Sequence, residues 1–252
     1  TNSYMALRRG PRAMGMIHAG FGVGAILGPL LMTTVLASGL SWRVGFAILA
    51  AAEAGYVVGL WVLRRSIELD RGPASIGESV PLKSPVLVWS LVVFALYAGV
   101  AGGAGIWAYT LFTEDRGVSG WLAGLTVAGY WAGFTLSRLL LGAVGDRVAP
   151  RRVIMWSGAA TAVVLGVFWL SGGAVVAAAA LAAAGFAHGP IFPLEILLTA
   201  RRFGSALTPT VVGFEIAAAN VGGALAPALL GLAADRIDLS VVPFLLFVGS
   251  ML

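Results

Sequence analysis

Residues 85–111 read PVLVWSLVVFALYAGVAGGAGIWAYTL, an unbroken run without one charged side chain. A bilayer crossing takes about 20 apolar residues of helix, because the hydrocarbon core is about 30 Å thick and each helical residue rises about 1.5 Å. This run is long enough to cross. It shows no strict alternation of apolar and polar residues, so a barrel strand describes it poorly. A helix satisfies its backbone groups in hydrocarbon.

The pattern repeats on both sides of this run. Of the 252 residues, 59% are hydrophobic and 11% charged, against about a quarter charged in an ordinary soluble domain. A water-soluble core of this size has no room for so much apolar surface. Further spans are read near 14–36, 42–63, 120–144, 152–170, 174–199 and 208–232, and an eighth begins near Leu239. The predicted fold class is an all-α polytopic membrane protein. Thr1 to Arg12 is polar and basic, and the last apolar run reaches Leu252 short of a crossing. The chain is therefore expected to be a fragment that starts in a loop and stops inside a helix.

Lys and Arg in short loops favour the cytoplasmic side. Alternate loops hold Arg8, Arg9 and Arg12, then Arg64, Arg65, Arg71 and Lys83, then Arg147, Arg151 and Arg152, then Arg201 and Arg202, twelve in all. The opposite loops hold three, Arg43, Arg116 and Arg236. This places the N-terminus of the chain and the loop from Arg64 to Ser84 in the cytoplasm. That loop, RRSIELDRGPASIGESVPLKS, is the one stretch rich in charge, Pro, Gly and Ser together, and reads as a linker between helical bundles. The expected organisation is residues 1–63 as the last two helices of one bundle, 64–84 as the linker and 85–252 as most of a second.

An internal echo fits two related bundles. GMIHAGFGVGAILGPLL from Gly15 and GFEIAAANVGGALAPALL from Gly213 align when Pro29 is set on Pro227, which also pairs Gly15 with Gly213 and Gly24 with Gly222. Repeated halves are a mark of many secondary transporters.

Absences narrow the chemistry. There is no cysteine, which removes disulfides, thiolate metal sites and cysteine nucleophiles. No HExxH pair or GxSxG elbow occurs, and the only lysine, Lys83, lies away from any phosphate-binding glycine run. Neither an enzyme nor an ATP-driven pump is expected. No cofactor, metal or nucleic-acid partner is expected; His18 and His188 lie on separate spans without a carboxylate at ligand spacing.

The most specific motif is GAVGDRVAPRR, Gly142 to Arg152, at the end of the fourth span. It resembles the loop motif of the major facilitator superfamily: Gly142, Asp146, Arg147, Arg151 and Arg152 match, while Ala149 stands where the family usually has glycine. Asp146 can pair with an arginine or face the positive end of a helix, so the motif is expected to act as a conformational latch. Gly20, Gly24, Gly28 and Pro29 resemble the family's fifth-helix motif, a row of small residues for close packing. On this resemblance the chain corresponds to helices five to twelve of a twelve-helix transporter.

Within the superfamily the chain is most similar to the fucose permease type of sugar:proton symporter, through residues 2–31, 128–147, 185–204 and 208–231. It departs where such relatives often carry glutamine, having Glu215, and where many carry a carboxylate in the seventh helix, having Ala101. The resemblance implies a secondary transporter moving a small solute by alternating access, with a sugar and a proton as the expected cargo. The alternatives are a drug or metabolite efflux protein and a non-transporting membrane scaffold or sensor. The full-length protein is expected to be a monomer in the bacterial inner membrane, with a small-molecule substrate and the lipid bilayer as its partners.

Ionisable groups inside spans are costly and so are candidate functional positions. Glu215 is a candidate substrate contact or proton site, and Asn220, five residues on, points to a different side of the helix. Tyr97, Trp107, Tyr130 and Trp131 are candidates to stack on a sugar, and His18 is a candidate polar pathway residue. Trp131, Thr135 and Arg138 share one helix face; Arg138, near the helix end, is expected to snorkel to the membrane surface or to pair. Glu195 is expected to pair with Arg201 or Arg202. Bends are expected at Gly99 to Gly105 in the third span and at Pro190 and Pro193 in the sixth.

Overall fold

The computed structural model describes residues 2–64 and 83–252. All but the ends of the expected linker from Arg64 to Ser84 lie outside the described residues. The described elements are helices: α1 (Asn2–Arg8), α2 (Pro11–Ala37), α3 (Trp42–Leu63), α4 (Pro85–Thr110), α5 (Gly120–Val144), α6 (Pro150–Leu170), α7 (Ala174–His188), α8 (Ile191–Arg236) and α9 (Val241–Met251). Their starts follow from local chemistry. Proline opens α2, α4 and α6, where its missing N–H removes nothing the helix needs. Ser41 caps α3 by accepting the Arg43 N–H.

Six stretches of the described residues are long and apolar enough to cross a membrane, the last being Ala174–Arg236 with 63 residues. Sixty-three helical residues would reach about 95 Å, roughly three times the hydrocarbon thickness. The stretch folds back at Gly204, whose φ of 73° and ψ of 172° break the helical path. Positive φ is a conformation that glycine adopts without a Cβ clash. The reversal brings Thr199 Oγ1 to donate to both carboxylate oxygens of Glu215, at 2.7 and 2.9 Å. In a straight helix these residues would stand about 24 Å apart. The two arms, 191–203 and 205–236, thus belong to different crossings, in agreement with the sixth and seventh predicted spans.

The crossings close on one another through small residues. On α2, Gly15, Gly22 and Thr33 meet Gly142, Thr135 and Gly124 of α5. One number rises by 7 and 11 while the other falls by 7 and 11, so the two helices run antiparallel along one unbroken seam. A Cβ on Gly15 would sit 2.7 Å from the Gly142 nitrogen. On α4, Gly99 lies against Ala226 of α8, and Ala95 against Gly222. Here both numbers rise by 4, and the helices run parallel. The apolar core gathers Ala104, Tyr130, Leu165, Phe168, Leu181 and Leu246 from α4, α5, α6, α7 and α9.

Among the described residues a Cβ on Gly20, Gly24 or Gly28, the row of small residues expected to pack closely, would meet nothing within 4 Å. The close approach within these residues falls on the face of Gly15 and Gly22. Of the two expected bends, the glycine-rich one does not form: α4 is continuous from Pro85 to Thr110, and Gly99, Gly103 and Gly105 accept Ala226, Leu230 and Trp131 as neighbours. The other does form, since helix stops at His188 and resumes at Ile191. In contrast to the rest, α3 buries only Gly45, against Met32 of α2, and is otherwise exposed almost throughout, Glu53 included.

Candidate functional site

Aromatic and basic side chains from α2, α4, α5, α7 and α8 converge beside the α2–α5 seam. Arg138 is 3% exposed. It does not snorkel: its Nε donates to the Gly189 carbonyl at 2.8 Å and a terminal nitrogen to the His18 carbonyl at 3.1 Å. Its guanidinium lies 3.9 Å above the Phe134 ring and 5.9 Å from Phe21. Glycine at 189 and the end of α7 at His188 free that carbonyl to accept a side chain. Among the described residues no carboxylate pairs with Arg138, the one ion pair there being Glu195 with Arg202. A cation in this setting is held by backbone dipoles and ring faces, with the Tyr97 hydroxyl close by.

Rings continue from this point. His18 packs edge-on against Phe192, which also meets Phe94 and Tyr97. Tyr97 meets His188, and Trp131 meets Phe21, Tyr130 and Phe134. Two polar atoms in this cluster, His18 Nε2 and the Tyr97 hydroxyl, are buried without a hydrogen-bond partner among the described residues. Tyr97 and His188 also line a cavity of about 200 Å³ together with Thr161 of α6, whose hydroxyl is likewise unpartnered. Tyr130 differs. It is fully buried, and its hydroxyl donates to the Ala101 carbonyl at 2.9 Å.

Glu215 lies elsewhere, between α4 and the two arms of α8. It is fully buried, and its carboxylate accepts the Ser90 hydroxyl as well as that of Thr199. Beside it Glu195 pairs with Arg202 at 2.9 Å, the partner its spacing predicts. Asn220 is exposed on α8, so the five-residue step does separate the two side chains. Trp107 donates from Nε1 to the Pro227 carbonyl at 3.0 Å, within the α4–α8 contact. Of the seven predicted pathway residues, His18, Tyr97, Tyr130 and Trp131 come together; Trp107, Glu215 and Asn220 do not join them. Phe21, Phe94, Phe134, His188 and Phe192 join without having been singled out for it. Single phenylalanines in an apolar span carry no periodic signal that separates a cluster from a core.

The loop motif docks on the start of α2. Gly10, the residue before Pro11, has no side chain to cap the helix, and the first turn holds no acidic residue. Asp146 stands where it supplies the missing negative charge, its Oδ1 lying 2.8 Å from where a Gly10 Cβ would be. Gly145 lets the loop close on Pro11 and Arg12. The carboxylate thus faces the positive end of α2, rather than that of the next helix, α6. Arg147, Arg151 and Arg152 are exposed. Among the described residues no group of three His, Asp or Glu side chains could hold a metal ion.

Crossings packed through glycine seams around a buried basic and aromatic cluster define a multi-pass helical membrane protein. The chain belongs to the Major Facilitator Superfamily, whose family model matches residues 2–227. The fold is similar to that of FucP, a Major Facilitator Superfamily transporter crystallised in the outward conformation, with a TM-score of 0.64 at 15% identity, covering 82% of this chain and 52% of that one. In sequence the chain is 26% identical over 195 residues to Bypass of stop codon protein 6 of Saccharomyces cerevisiae, covering 71% of this chain and 38% of that protein. It therefore spans about half, or less, of the length of these two relatives.

Proposed function

We propose that the full-length protein is a secondary active transporter that moves a small polar solute, a sugar in the first instance, by alternating access. In this reading residues 1–63 contribute the last two helices of an N-terminal bundle, 64–84 the cytoplasmic linker and 85–252 the C-terminal bundle. The loop charges support a cytoplasmic N-terminus for this chain, and the proposed location is a bacterial inner membrane. FucP, the structural relative, is a transporter by its own description.

The observation that carries the reading is the Arg138 cluster. Buried polar atoms are nearly always hydrogen-bonded, yet among the described residues His18 Nε2 and the Tyr97 hydroxyl have no hydrogen-bond partner. A sugar offers what they lack: hydroxyls to donate and accept, and C–H faces that lie on rings such as Trp131. The cluster sits at the α2–α5 seam, where helices of the two proposed bundles meet, so a rocking motion about that seam opens or closes it. Asp146, at the start of α2, holds one end of the seam and releases it when the bundles part.

The absence of a carboxylate partner for Arg138 among the described residues favours a second substrate class, sugars that carry a carboxylate. Proton coupling is part of the proposal, with Glu215 as the candidate carrier within this chain. Counterflow in proteoliposomes tests these readings: saturable exchange of a neutral sugar or a sugar acid is expected, with Arg138→Gln abolishing it. Exchange at the wild-type rate in Arg138→Gln overturns the assignment of the site, and no exchange of either class by a folded protein favours the scaffold alternative. Unchanged rate and pH dependence in Glu215→Gln removes Glu215 from coupling.

A further inference from the structure

A second cavity, bordered by α5, α6 and α7, lies apart from the Arg138 cluster. It is a groove of about 810 Å³ where α5 and α6 both lean on α7, its walls including Leu140, Val164 and Phe186. Arg147, Arg152 and Trp156 lie at one end of it. Trp156 is 74% exposed, and neither arginine has an ion pair or hydrogen bond among the described residues. We infer that this groove holds an anionic phospholipid, its phosphate on Arg147 and Arg152 and one acyl chain lying between α5 and α6.

Three features carry the inference. The groove opens on the side of a membrane-spanning bundle, so the apolar material at hand to fill it is lipid. Its apolar wall runs along α6 from Arg152 to Val164, about 18 Å at 1.5 Å per residue, close to the depth of one leaflet's hydrocarbon. The charge at its mouth is placed against the interest of the helix. Arg151 and Arg152 fall in the first turn of α6, which has no acidic residue, although cations are unfavourable at the positive end of a helix. An anion bound there reverses that penalty and also meets the free N–H groups of the first turn. Basic pockets between spanning helices suit anionic head groups, and Trp156 suits the membrane interface.

The test is native mass spectrometry of the purified protein equilibrated with equal amounts of phosphatidylglycerol and phosphatidylcholine. Wild type is expected to retain phosphatidylglycerol preferentially. Arg147→Gln with Arg152→Gln should lower that preference roughly 25-fold, at about fivefold for each basic contact. Arg201→Gln, at the same end of the bundle but outside the groove, should leave it unchanged. Ala160→Trp, which fills the groove from α6, should lower retention of both lipids while helix content by circular dichroism is kept. An unaltered preference in the double arginine variant overturns the inference, as does an equal loss in Arg201→Gln, which would reduce the effect to general surface charge. A dimer that Ala160→Trp dissociates, with no lipid preference, assigns the groove to a second protein copy and overturns it too.

Discussion

Arg138 and Glu215 are both charged side chains buried in spanning helices, at 3% and 0% exposure, yet their surroundings are built on opposite plans. Glu215 is enclosed by donors, the Ser90 and Thr199 hydroxyls, and has the Glu195–Arg202 pair beside it. Arg138 has two backbone carbonyls, ring faces and, close by, two polar atoms with no partner among the described residues. A satisfied group ties helices together. An unsatisfied group inside the membrane carries a penalty that something else must lift. The contrast is between a carboxylate clamped by its neighbours and a cation whose surroundings leave polar atoms spare for a ligand.

The contrast breaks most sharply at Arg138. Arg138→Leu should weaken substrate binding by about 2–5 kcal/mol, the range for truncating one partner of a buried charge contact, read as loss of saturable exchange. Exchange within twofold of wild type would falsify the assignment. At the clamp, Glu215→Leu leaves the Ser90 hydroxyl unpartnered and removes the bridge between the arms of α8. It should lower unfolding stability in detergent by about 1–3 kcal/mol, whereas Glu215→Gln, which keeps an acceptor, should lose less. A Glu215→Gln variant that keeps its melting temperature but changes the rate or pH dependence of exchange assigns Glu215 to coupling, and one that loses only stability makes it a tie between helices.

A finer test uses the spare hydroxyl. Tyr97→Phe removes a polar atom that the described residues leave unpaired, so stability should hold or rise slightly. Substrate affinity should fall by about 0.5–1.5 kcal/mol, a threefold to tenfold rise in KM at unchanged stability. A stability loss with unchanged KM would place Tyr97 in the framework. The smallest effect is expected at Asp146→Asn, about 0.3–1 kcal/mol from the end of α2. It should appear as a shift in the distribution between transport states, measured by labels across the α2–α5 seam, and not in substrate affinity.

The spans, the class of fold and the loop motif were legible because each rests on short-range signals, apolar length and residue spacing. The pairing of Glu195 with Arg202 was legible for the same reason, seven residues being two turns of one helix. Arg138 was visible as the one arginine away from the ends of the predicted spans, but its fate depended on Gly189 and His18, distant in sequence, offering carbonyls. Glu215 was visible as a carboxyl within a span, but its partner was not: the fold-back at Gly204, which delivers Thr199 to it, is set by a single backbone angle. The glycines of α4 carry an ambiguity. Glycine density can mean a bend or a contact, and only the facing residues, Ala226 and Leu230, decide.

The bare start of α2 has a consequence for motion. Its first turn borrows its end charge from a neighbouring helix instead of carrying one, so the integrity of that turn depends on the contact being made. In the proposed latch, release of Asp146 would take its charge away from the first turn of α2, where Arg12 and Ala13 lie. Their hydrogen exchange becomes a local clock for the opening of the seam, one that ticks at a backbone far from any bound solute.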